Sequence, residues 1–282
     1  MNKEFTLNNG LNIPAVGFGT WLVKDDDGKG IVKDAVSAGY RYFDTASFYK
    51  NEEALGQALC DCKVERSKLM IASKIWLTEL GYDECRAAFE GSLKRLGTDY
   101  LDVYLIHWPR RNSYEKGWEK LIQDTWRAME ELYKEGRIKA IGLSNFLPHH
   151  IEALMETATI KPMIDQLELH PGYMQTYAVD YCKAHDIIPQ AWSPLGRAEV
   201  LKSELICNMA KDYNVSPAHL ILAFLNQQGI AVIPKSSSIE RMKDNLDIYD
   251  IEISQRDVSI LTCLPQLGYS GEHPDLDNKV PT

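Results

Sequence analysis

The sequence lacks three features that would point to a membrane or a nucleic acid. It contains no apolar run near the roughly 20 residues that a membrane-spanning helix needs. Its first ten residues, MNKEFTLNNG, contain no apolar signal region. Its 31 Lys and Arg are outnumbered by 40 Asp and Glu, giving a formal net charge of -9, and such a chain is poorly suited to bind polyanions non-specifically. We expect a cytoplasmic protein with neither a membrane nor a nucleic-acid partner.

The usual patterns of metal and disulfide sites are also missing. The six cysteines are scattered, and the only close pair, Cys60 and Cys62, has neither zinc-ligand nor CxxC spacing. The histidines form no HExxH pair, and the adjacent His149 and His150 are expected in the first turn of a helix, facing solvent. These absences predict no metal site and reduced thiols in a reducing compartment.

What the sequence does have is a repeated unit, a short apolar run followed by an amphipathic helix. No low-complexity segment or long Pro/Gly/Ser linker interrupts the repeats, which predicts a single domain over residues 1–282. Eight apolar runs begin the units: AVGFGT, YRYFD, LMIASKI, LDVYLIHW, IKAIGLS, PMIDQLEL, IIPQAW and IAVIP. The helical patterns that follow cover Ile31–Ala38, Glu53–Cys60, Asp83–Leu96, Leu121–Lys134, His149–Glu156, Thr176–His185, Glu204–Tyr213, Pro217–Gln227 and Ile239–Leu246.

Eight strand–helix units favour a (β/α)8 TIM barrel over a doubly wound sheet, because roughly 250 residues is a typical barrel length. The apolar runs are nearly continuous, which indicates strands buried on both faces, as in a parallel sheet. The NNG turn at residues 8–10 predicts a β-hairpin that caps the barrel bottom, and a short polar tail ends the chain. A Rossmann fold is rejected, because GFGTWL at residues 17–22 lacks the third glycine and leads into a charged loop.

Polar and aromatic residues stand where the predicted strands end, which is where a barrel carries its chemistry. They are Asp44, Tyr49, Lys74, His107, Asn145, Gln166, Glu168, Trp192 and Lys235. Asp44 and Lys74 are expected to pair, because buried charges need partners. If Tyr49 turns toward that lysine, the ammonium should lower the pKa of the phenol by roughly 1 to 3 and make it a proton donor near neutral pH. His107 would give a second hydrogen bond to a substrate oxygen.

Seven segments resemble the aldo-keto reductase superfamily, in the family's order and over nearly the whole chain. They are FDTASFYKNEEALG, SKIW, LDVYLIHWP, IGLSNF, QLELHP, WSPLG and IPKSSSIERMKDN, and they are most similar to the microbial 2,5-diketo-D-gluconate and glyoxal reductases. The resemblance implies a catalytic tetrad. Tyr49 would be the general acid for carbonyl reduction, with its pKa lowered by Lys74. Asp44 would hold Lys74, and His107 would orient the carbonyl.

The resemblance also implies NADPH, bound without a Rossmann fold. Its implied contacts are Ser144, Asn145 and Gln166 at the carboxamide, Trp192 stacked on the nicotinamide, Ser193 and Leu195 at the pyrophosphate, Lys235, Ser236 and Arg241 at the 2′-phosphate, and Asn245 at the adenine. The segment PKSSSIER supports the phosphate site independently, because it places two cations and three hydroxyls at a helix start, where backbone amides favour anions. Two positions depart from the family: Lys50 stands where Gly is common, and Arg197 is a hypothetical phosphate or substrate contact.

Four aromatic residues lie beside the tetrad positions and are expected to form a wall of the substrate pocket. They are Trp21, Phe48, Trp76 and Trp108. With the short tail, they suggest an open site for small aldehydes, dicarbonyls or keto-sugars. Two alternatives remain open: a Schiff-base aldolase that uses Lys74, and a non-catalytic protein that senses NADPH. The resemblance favours a monomer.

Overall fold

The computed structural model describes residues 1–23 and 25–276, with the backbone alone for residues 25–27. Its strands are β1 Glu4–Thr6, β2 Asn12–Pro14, β3 Phe18–Gly19, β4 Tyr42–Asp44, β5 Met70–Ile75, β6 Leu101–Ile106, β7 Ile138–Ser144, β8 Ile164–Glu168, β9 Ile188–Trp192 and β10 Ala231–Val232. Its α-helices are α1 Asp25–Ala38, α2 Glu52–Asp61, α3 Tyr82–Leu96, α4 Trp118–Lys134, α5 Pro148–Met155, α6 Thr176–Ala184, α7 Glu204–Asp212, α8 Pro217–Gln227, α9 Ile239–Leu246 and α10 Gln255–Thr262. One or two helices follow each strand from β3 to β10, as the repeated unit predicts.

Strands β3 to β10 pair in parallel and in chain order around one sheet. The two ends of the sheet are joined, because Val16 forms a parallel bridge with Val232. The amides of Gly17 and Gly19 extend this contact by donating to the carbonyls of Val232 and Pro234, at 2.8 and 3.1 Å. The sheet therefore closes, and the predicted (β/α)8 barrel is confirmed.

Burial on both faces explains why the strands read as continuous apolar runs. All six residues of β6 are buried, as are all five of β8. Helices cover the outer face of the barrel, and side chains fill its interior. The polar residues within these strands are therefore buried too, which forces them to pair with one another.

Strands β1 and β2 form the predicted hairpin, with Phe5 opposite Ile13 and both side chains buried. The side-chain nitrogen of Asn8, Nδ2, donates to the backbone carbonyls of Pro162 and Asp186, at 2.8 and 3.1 Å. These two carbonyls lie just before β8 and β9. The hairpin therefore covers the amino-terminal end of the barrel and leaves the carboxyl end open.

Two helices differ from the sequence-based prediction. Helix α1 begins at Asp25 rather than at Ile31. Residues 25–30 contain only charged residues and glycines, so the pattern of apolar residues marks only the later part of this helix. Helix α10 was missed, although Ser254 and Asp257 carry a start signal: the Ser254 hydroxyl accepts from the amide of Asp257 at 3.2 Å. Within the described chain, no helix combines the length and the apolar character that a bilayer span requires.

Candidate active site

The four tetrad residues meet at the carboxyl ends of β4, β5 and β6. Asp44 ends β4, Lys74 lies near the end of β5, and His107 directly follows β6. Tyr49 ends a short 3₁₀ turn between β4 and α2. Asp44, Lys74 and His107 are buried and Tyr49 is half-buried. Parallel pairing of neighbouring strands therefore assembles side chains that lie far apart in the sequence.

The ammonium of Lys74 is the centre of the site. Its Nζ donates to Asp44 Oδ1 at 2.6 Å, to the backbone carbonyl of Thr45 at 3.0 Å and to the Tyr49 hydroxyl at 3.4 Å. The expected pairing of Asp44 with Lys74 is thus present. Burial lowers the pKa of Lys74, and the charge of Asp44 opposes that change. All three N–H donors are in use, which disfavours the aldolase alternative, because a Schiff-base lysine needs an accessible amine.

The pKa of Tyr49 contradicts the expected lowering. Burial raises this pKa well above its ordinary value of 10.0, and the charges of Asp44 and Glu272 raise it further. The main physical reason is the loss of hydration on burial, and Asp44, paired with Lys74, adds a negative charge that disfavours the phenolate. Tyr49 therefore holds its proton at neutral pH, as a proton donor must before transfer.

The imidazole of His107 is also uncharged at neutral pH. Burial lowers the pKa of its imidazole well below 6.5, and the charge of Lys74 lowers it further. Its Nδ1 is buried without a hydrogen-bond partner among the described residues, and an orphaned buried polar atom is uncommon outside functional sites. The ring meets that of Tyr49 edge to face, with centroids 5.7 Å apart. A protonated phenol and a neutral imidazole therefore lie side by side.

A buried amide network continues from the tetrad into the barrel. The side-chain nitrogen of Gln166, Nε2, donates to Asp44 Oδ2 at 2.8 Å and to Gln190 Oε1 at 2.9 Å. The side-chain nitrogen of Gln190, Nε2, in turn donates to the Tyr42 hydroxyl at 3.2 Å. Because both side-chain N–H groups of Gln166 donate within the protein, its side-chain oxygen, Oε1, is the atom left to accept a hydrogen bond from a ligand. Sequence reasoning missed Tyr42 and Gln190, although a polar residue inside the apolar run IIPQAW was a usable signal.

The residues implied at the nicotinamide form one hydrogen-bonded layer. Ser144 Oγ donates to the backbone carbonyl of Gln166 at 2.9 Å. Asn145 Nδ2 donates to the backbone carbonyl of His107 at 3.0 Å, and Asn145 Oδ1 accepts from Trp192 Nε1 at 2.8 Å. Asn145 has a φ of 62°, a left-handed conformation that asparagine tolerates better than most residues. The hydrogen bond from Nε1 to Asn145 thus fixes the orientation of the half-buried indole of Trp192.

The residues implied at the 2′-phosphate lie around the start of α9. Lys235 and Arg241 are exposed, and within the described chain neither has a carboxylate at ion-pair distance. Ser236 and Asn245 are buried beside them. Ser238 caps the helix by accepting from the amide of Arg241 at 3.4 Å. Although the acidic Glu240 lies in the first turn of α9, two cations that form no ion pair in the described chain, at a helix start, fit an anionic phosphate group.

The aromatic wall consists of three stacked side chains. Phe48 lies between Trp21 and Trp76, with ring centroids 5.8 and 3.8 Å away. Trp21 is 42% exposed and also meets the Tyr49 ring, at 4.7 Å. Trp108 differs: it is 5% exposed and packs in the hydrophobic core, outside the stack. Its place in the substrate pocket stays a prediction.

Comparison with known proteins settles the family. The model of the aldo/keto reductase family matches residues 15–264. The chain belongs to this family. It is 44% identical over 270 residues to the glyoxal reductase of Bacillus subtilis, covering 95% of each protein. The crystal structure of an aldo/keto reductase from Brucella melitensis is 38% identical, with a TM-score of 0.86 over 92% of this chain and 98% of that one.

A crystal structure of an aldo-keto reductase complexed with NADPH is also similar, at 32% identity and a TM-score of 0.86 over 94% of this chain and 88% of that one. Membership of the family confirms the predicted enzyme class, a reductase of carbonyl compounds. The aldolase and the non-catalytic sensor are not favoured by any of these relatives.

The loop after β4 shows how the reductase holds its aromatic wall. Glu79 Oε2 accepts from Ser47 Oγ at 2.7 Å and from the backbone amide of Trp76 at 2.9 Å. This carboxylate therefore fixes Phe48 against Trp76. Lys50 directly follows the 3₁₀ turn as its C-cap residue and has a φ of 55°. This left-handed conformation favours glycine, which explains why glycine is common at this position. Its side chain is exposed at the rim.

The loop after β9 carries the residues implied at the pyrophosphate. Ser193 and Leu195 are half-buried, and Ser193 has a left-handed φ of 46°. Arg197 also has a left-handed φ, 52°, and its Nη2 lies 2.9 Å from Glu272 Oε1. The structure thus gives Arg197 a protein partner that sequence reasoning missed, because no local motif marks Glu272.

His150 contradicts the expectation that it faces solvent. It is fully buried: its Nδ1 accepts from the amide of Leu147 at 3.0 Å, and its Nε2 lies 3.0 Å from Asp275 Oδ1. Arg110 Nη2 donates to the same oxygen at 2.6 Å. His149, His150 and Asp275 offer metal-type ligand atoms within 4.8 Å of one another, but Arg110 already compensates the carboxylate. The cluster ties Asp275 to residues that follow β6 and β7, and the expected absence of a metal site stays a prediction.

Proposed function

We propose that the reductase converts small aldehydes, dicarbonyls or keto-sugars to alcohols, with NADPH as its cofactor. One observation carries the proposal: Lys74, held by Asp44 at 2.6 Å, touches the hydroxyl of a half-buried Tyr49 at the open end of the barrel. The family membership and the similarity to a glyoxal reductase support the choice of substrates. The expected cytoplasmic location, monomeric state and single domain over residues 1–282 belong to the same proposal.

The chain offers a fitting site for the cofactor. Lys235 and Arg241, which have no carboxylate partner in the described chain, would hold the 2′-phosphate, with Ser236 and Asn245 beside them. Ser193 and Leu195 would lie along the pyrophosphate, and Trp192 against the nicotinamide. Ser144, Asn145 and Gln166 would bind the carboxamide, Gln166 through its remaining carbonyl oxygen. When bound, NADPH supplies the hydride that reduces the carbonyl carbon.

The tetrad supplies the proton. The carbonyl oxygen accepts hydrogen bonds from the Tyr49 hydroxyl and from the neutral imidazole of His107. As negative charge develops on that oxygen, Tyr49 transfers its proton, because an alkoxide is far more basic than a phenolate. Lys74 then stabilises the phenolate by donating a hydrogen bond to its oxygen, from a position 3.4 Å away. Asp44 keeps Lys74 oriented throughout.

The test is consumption of reduced nicotinamide with methylglyoxal as substrate. We expect wild type to turn over and Tyr49→Phe to lose about 10²–10⁴-fold in kcat, the usual contribution of general acid catalysis. Tyr177→Phe is the matched control, because Tyr177 is a 76% exposed tyrosine on α6, away from the tetrad. Wild type that binds NADPH but reduces no aldehyde or dicarbonyl would contradict the proposal.

A further inference from the structure

Tyr42 and Gln190 form a polar pair inside the barrel, next to the site. Tyr42 lies two residues before Asp44 on β4 and therefore points to the same face of the sheet. Gln190, on β9, is opposite Gln166 in the register with β8. Both Tyr42 and Gln190 have 0% of their surface exposed. Neither side chain can touch a ligand, so any role that it has in the reaction must act through a neighbour.

The neighbour that Gln190 holds is the side-chain amide of Gln166. The Nε2 of Gln166 has two N–H groups. One donates to Asp44 Oδ2 at 2.8 Å, and the other donates to Gln190 Oε1 at 2.9 Å. Within the described chain, no residue donates to Gln166 Oε1. This oxygen is the atom proposed to accept a hydrogen bond from the nicotinamide carboxamide.

The two acceptors decide which way the amide of Gln166 faces. If the amide turned over, its oxygen would face the Asp44 carboxylate and Gln190 Oε1, so that oxygen would lie against oxygen at both contacts. With Asp44 as the single acceptor, the second N–H would be buried without a partner, which is costly, and the amide would rotate to find one. Gln190 therefore holds the amide in the orientation that leaves Oε1 free.

Tyr42 orients Gln190 in its turn. The Nε2 of Gln190 donates to the Tyr42 hydroxyl at 3.2 Å, which leaves Gln190 Oε1 to face Gln166. The Tyr42 hydroxyl also lies 3.4 Å from that oxygen. Without Tyr42, Gln190 could present its nitrogen to Gln166 instead of its oxygen. The orientation of the Gln166 amide thus depends on a hydroxyl two hydrogen bonds away.

We propose that Gln190, oriented by Tyr42, is a positioning residue for the cofactor, because it holds Gln166 Oε1 toward the nicotinamide carboxamide. This role rests on the proposed binding of NADPH at Gln166. It concerns the nicotinamide half of the cofactor alone, because the residues proposed for the 2′-phosphate and the adenine lie around the start and along the length of α9.

Two ligands separate a positioning role from a general structural one: NADPH and 2′-phospho-ADP-ribose, which lacks the nicotinamide. Isothermal titration calorimetry measures the Kd of each. Gln190→Leu should raise the Kd of NADPH about three- to tenfold, the effect of one hydrogen bond, and leave that of 2′-phospho-ADP-ribose unchanged. Tyr42→Phe should act in the same direction by a smaller factor. It removes a single oxygen, so it provides the test if Gln190→Leu does not fold.

A double-mutant cycle tests whether Gln190 acts through Gln166. Gln166→Met removes the amide, keeps the length of the side chain, and should itself weaken the binding of NADPH. In that background, Gln190→Leu should cause no further change in the Kd of NADPH, because the amide that it positions is gone. An equal effect of Gln190→Leu in both backgrounds would contradict a role through Gln166.

Asn226→Leu is the matched control. Asn226 is also a buried amide, and its side chain exchanges two hydrogen bonds with the backbone of Asn2, just before β1. This substitution removes a buried amide network at the other end of the barrel. It should lower the Tm and leave the Kd of both ligands unchanged.

An unchanged Kd of NADPH in Gln190→Leu and Tyr42→Phe, or an equal loss of 2′-phospho-ADP-ribose binding, would overturn the role of Gln190 while leaving the reductase proposal in place. Wild type that binds neither ligand would instead overturn the proposed cofactor, and the role of Gln190 with it.

Discussion

At the scale of single residues, Tyr49 shows how a protein environment can oppose the simplest electrostatic expectation. A lysine 3.4 Å from a phenol suggests a low pKa. Burial outweighs that effect by removing water from the phenol, and the charges of Asp44, the ion-pair partner of Lys74, and of Glu272 add to the rise in its pKa. The acid is therefore kept protonated, and its proton leaves only when a strong base forms beside it.

This ionisation state predicts the pH dependence of carbonyl reduction. Because the pKa of Tyr49 is raised well above 10.0, the protonated form persists as pH increases and is lost only above that value. We expect single-turnover reduction rates at saturating NADPH to be flat from about pH 7 to about pH 10. Stopped-flow measurement would check this. A decline centred near pH 8 that Tyr49→Phe abolishes would contradict it.

A second buried acid, Asp165 on β8, predicts the pH dependence of stability. Its Oδ1 has no partner in the described chain, and burial raises its pKa from 3.8 to about 8. The folded state thus keeps a proton that the unfolded state releases, so this contribution to stability is complete below pH 3.8 and is lost as pH rises to about 8.

Asp165→Asn should remove this dependence, because the amide does not titrate. The Tm of wild type minus that of Asp165→Asn is expected to fall steadily between pH 5 and pH 8. Thermal unfolding at several pH values measures the difference. A constant difference over that range would show that Asp165 is ionised in the folded protein.

At the scale of elements, the contact between α2 and α3 depends on a glycine. A Cβ added at Gly56 would lie 2.3 Å from the backbone oxygen of Leu96, which is too close for any real contact. Because the obstacle is backbone, the helices must move apart to accept a side chain. Gly30, on α1, has nothing within 4 Å of such a Cβ.

These two glycines predict opposite effects of the same substitution. Gly56→Ala should lower the free energy of unfolding by about 1–3 kcal/mol or more through overpacking. Gly30→Ala should raise it by about 0.5–1 kcal/mol, because alanine suits a helix better than glycine. Urea unfolding of both variants is the measurement. Equal effects of both substitutions would show that the helices adjust without cost.

At the scale of the whole molecule, cofactor binding should stabilise the barrel as a unit. NADPH that binds only the folded state at a hundred times its Kd should add about 2.7 kcal/mol to the free energy of unfolding. Arg241→Ala should reduce the Tm shift caused by NADPH but not that caused by NADH, because only NADPH carries the 2′-phosphate. Differential scanning fluorimetry with both cofactors is the test.

Arg256→Ala is the control for that experiment, because Arg256 is an exposed arginine on α10, outside the cofactor residues. It should leave both Tm shifts unchanged. Equal loss of the NADPH shift in both variants would mean that overall charge, rather than a site at α9, attracts the cofactor.

Much of this molecule was determined by the sequence itself. The alternation of apolar runs and helical periods predicts the barrel, because burial on both faces of a parallel sheet leaves a visible pattern. The strand-end positions of Asp44, Lys74 and His107 predict their meeting, because parallel strands bring their carboxyl ends to one edge. Helix α10 was not predicted, although Ser254 and Asp257 give it a start signal that is present in the sequence.

Only the tertiary structure decided the remaining properties. The raised pKa of Tyr49, the partners of Gln166 and the burial of Trp108 and His150 depend on which groups surround each side chain, and those neighbours come from distant parts of the chain. Glu272 shows this most clearly: nothing beside it in the sequence indicates a partner, yet its carboxylate pairs with Arg197 in the loop after β9. Composition and hydrophobic periodicity indicate which residues of a segment are buried. The ionisation of a side chain depends instead on its distances to other groups, which only the folded chain defines.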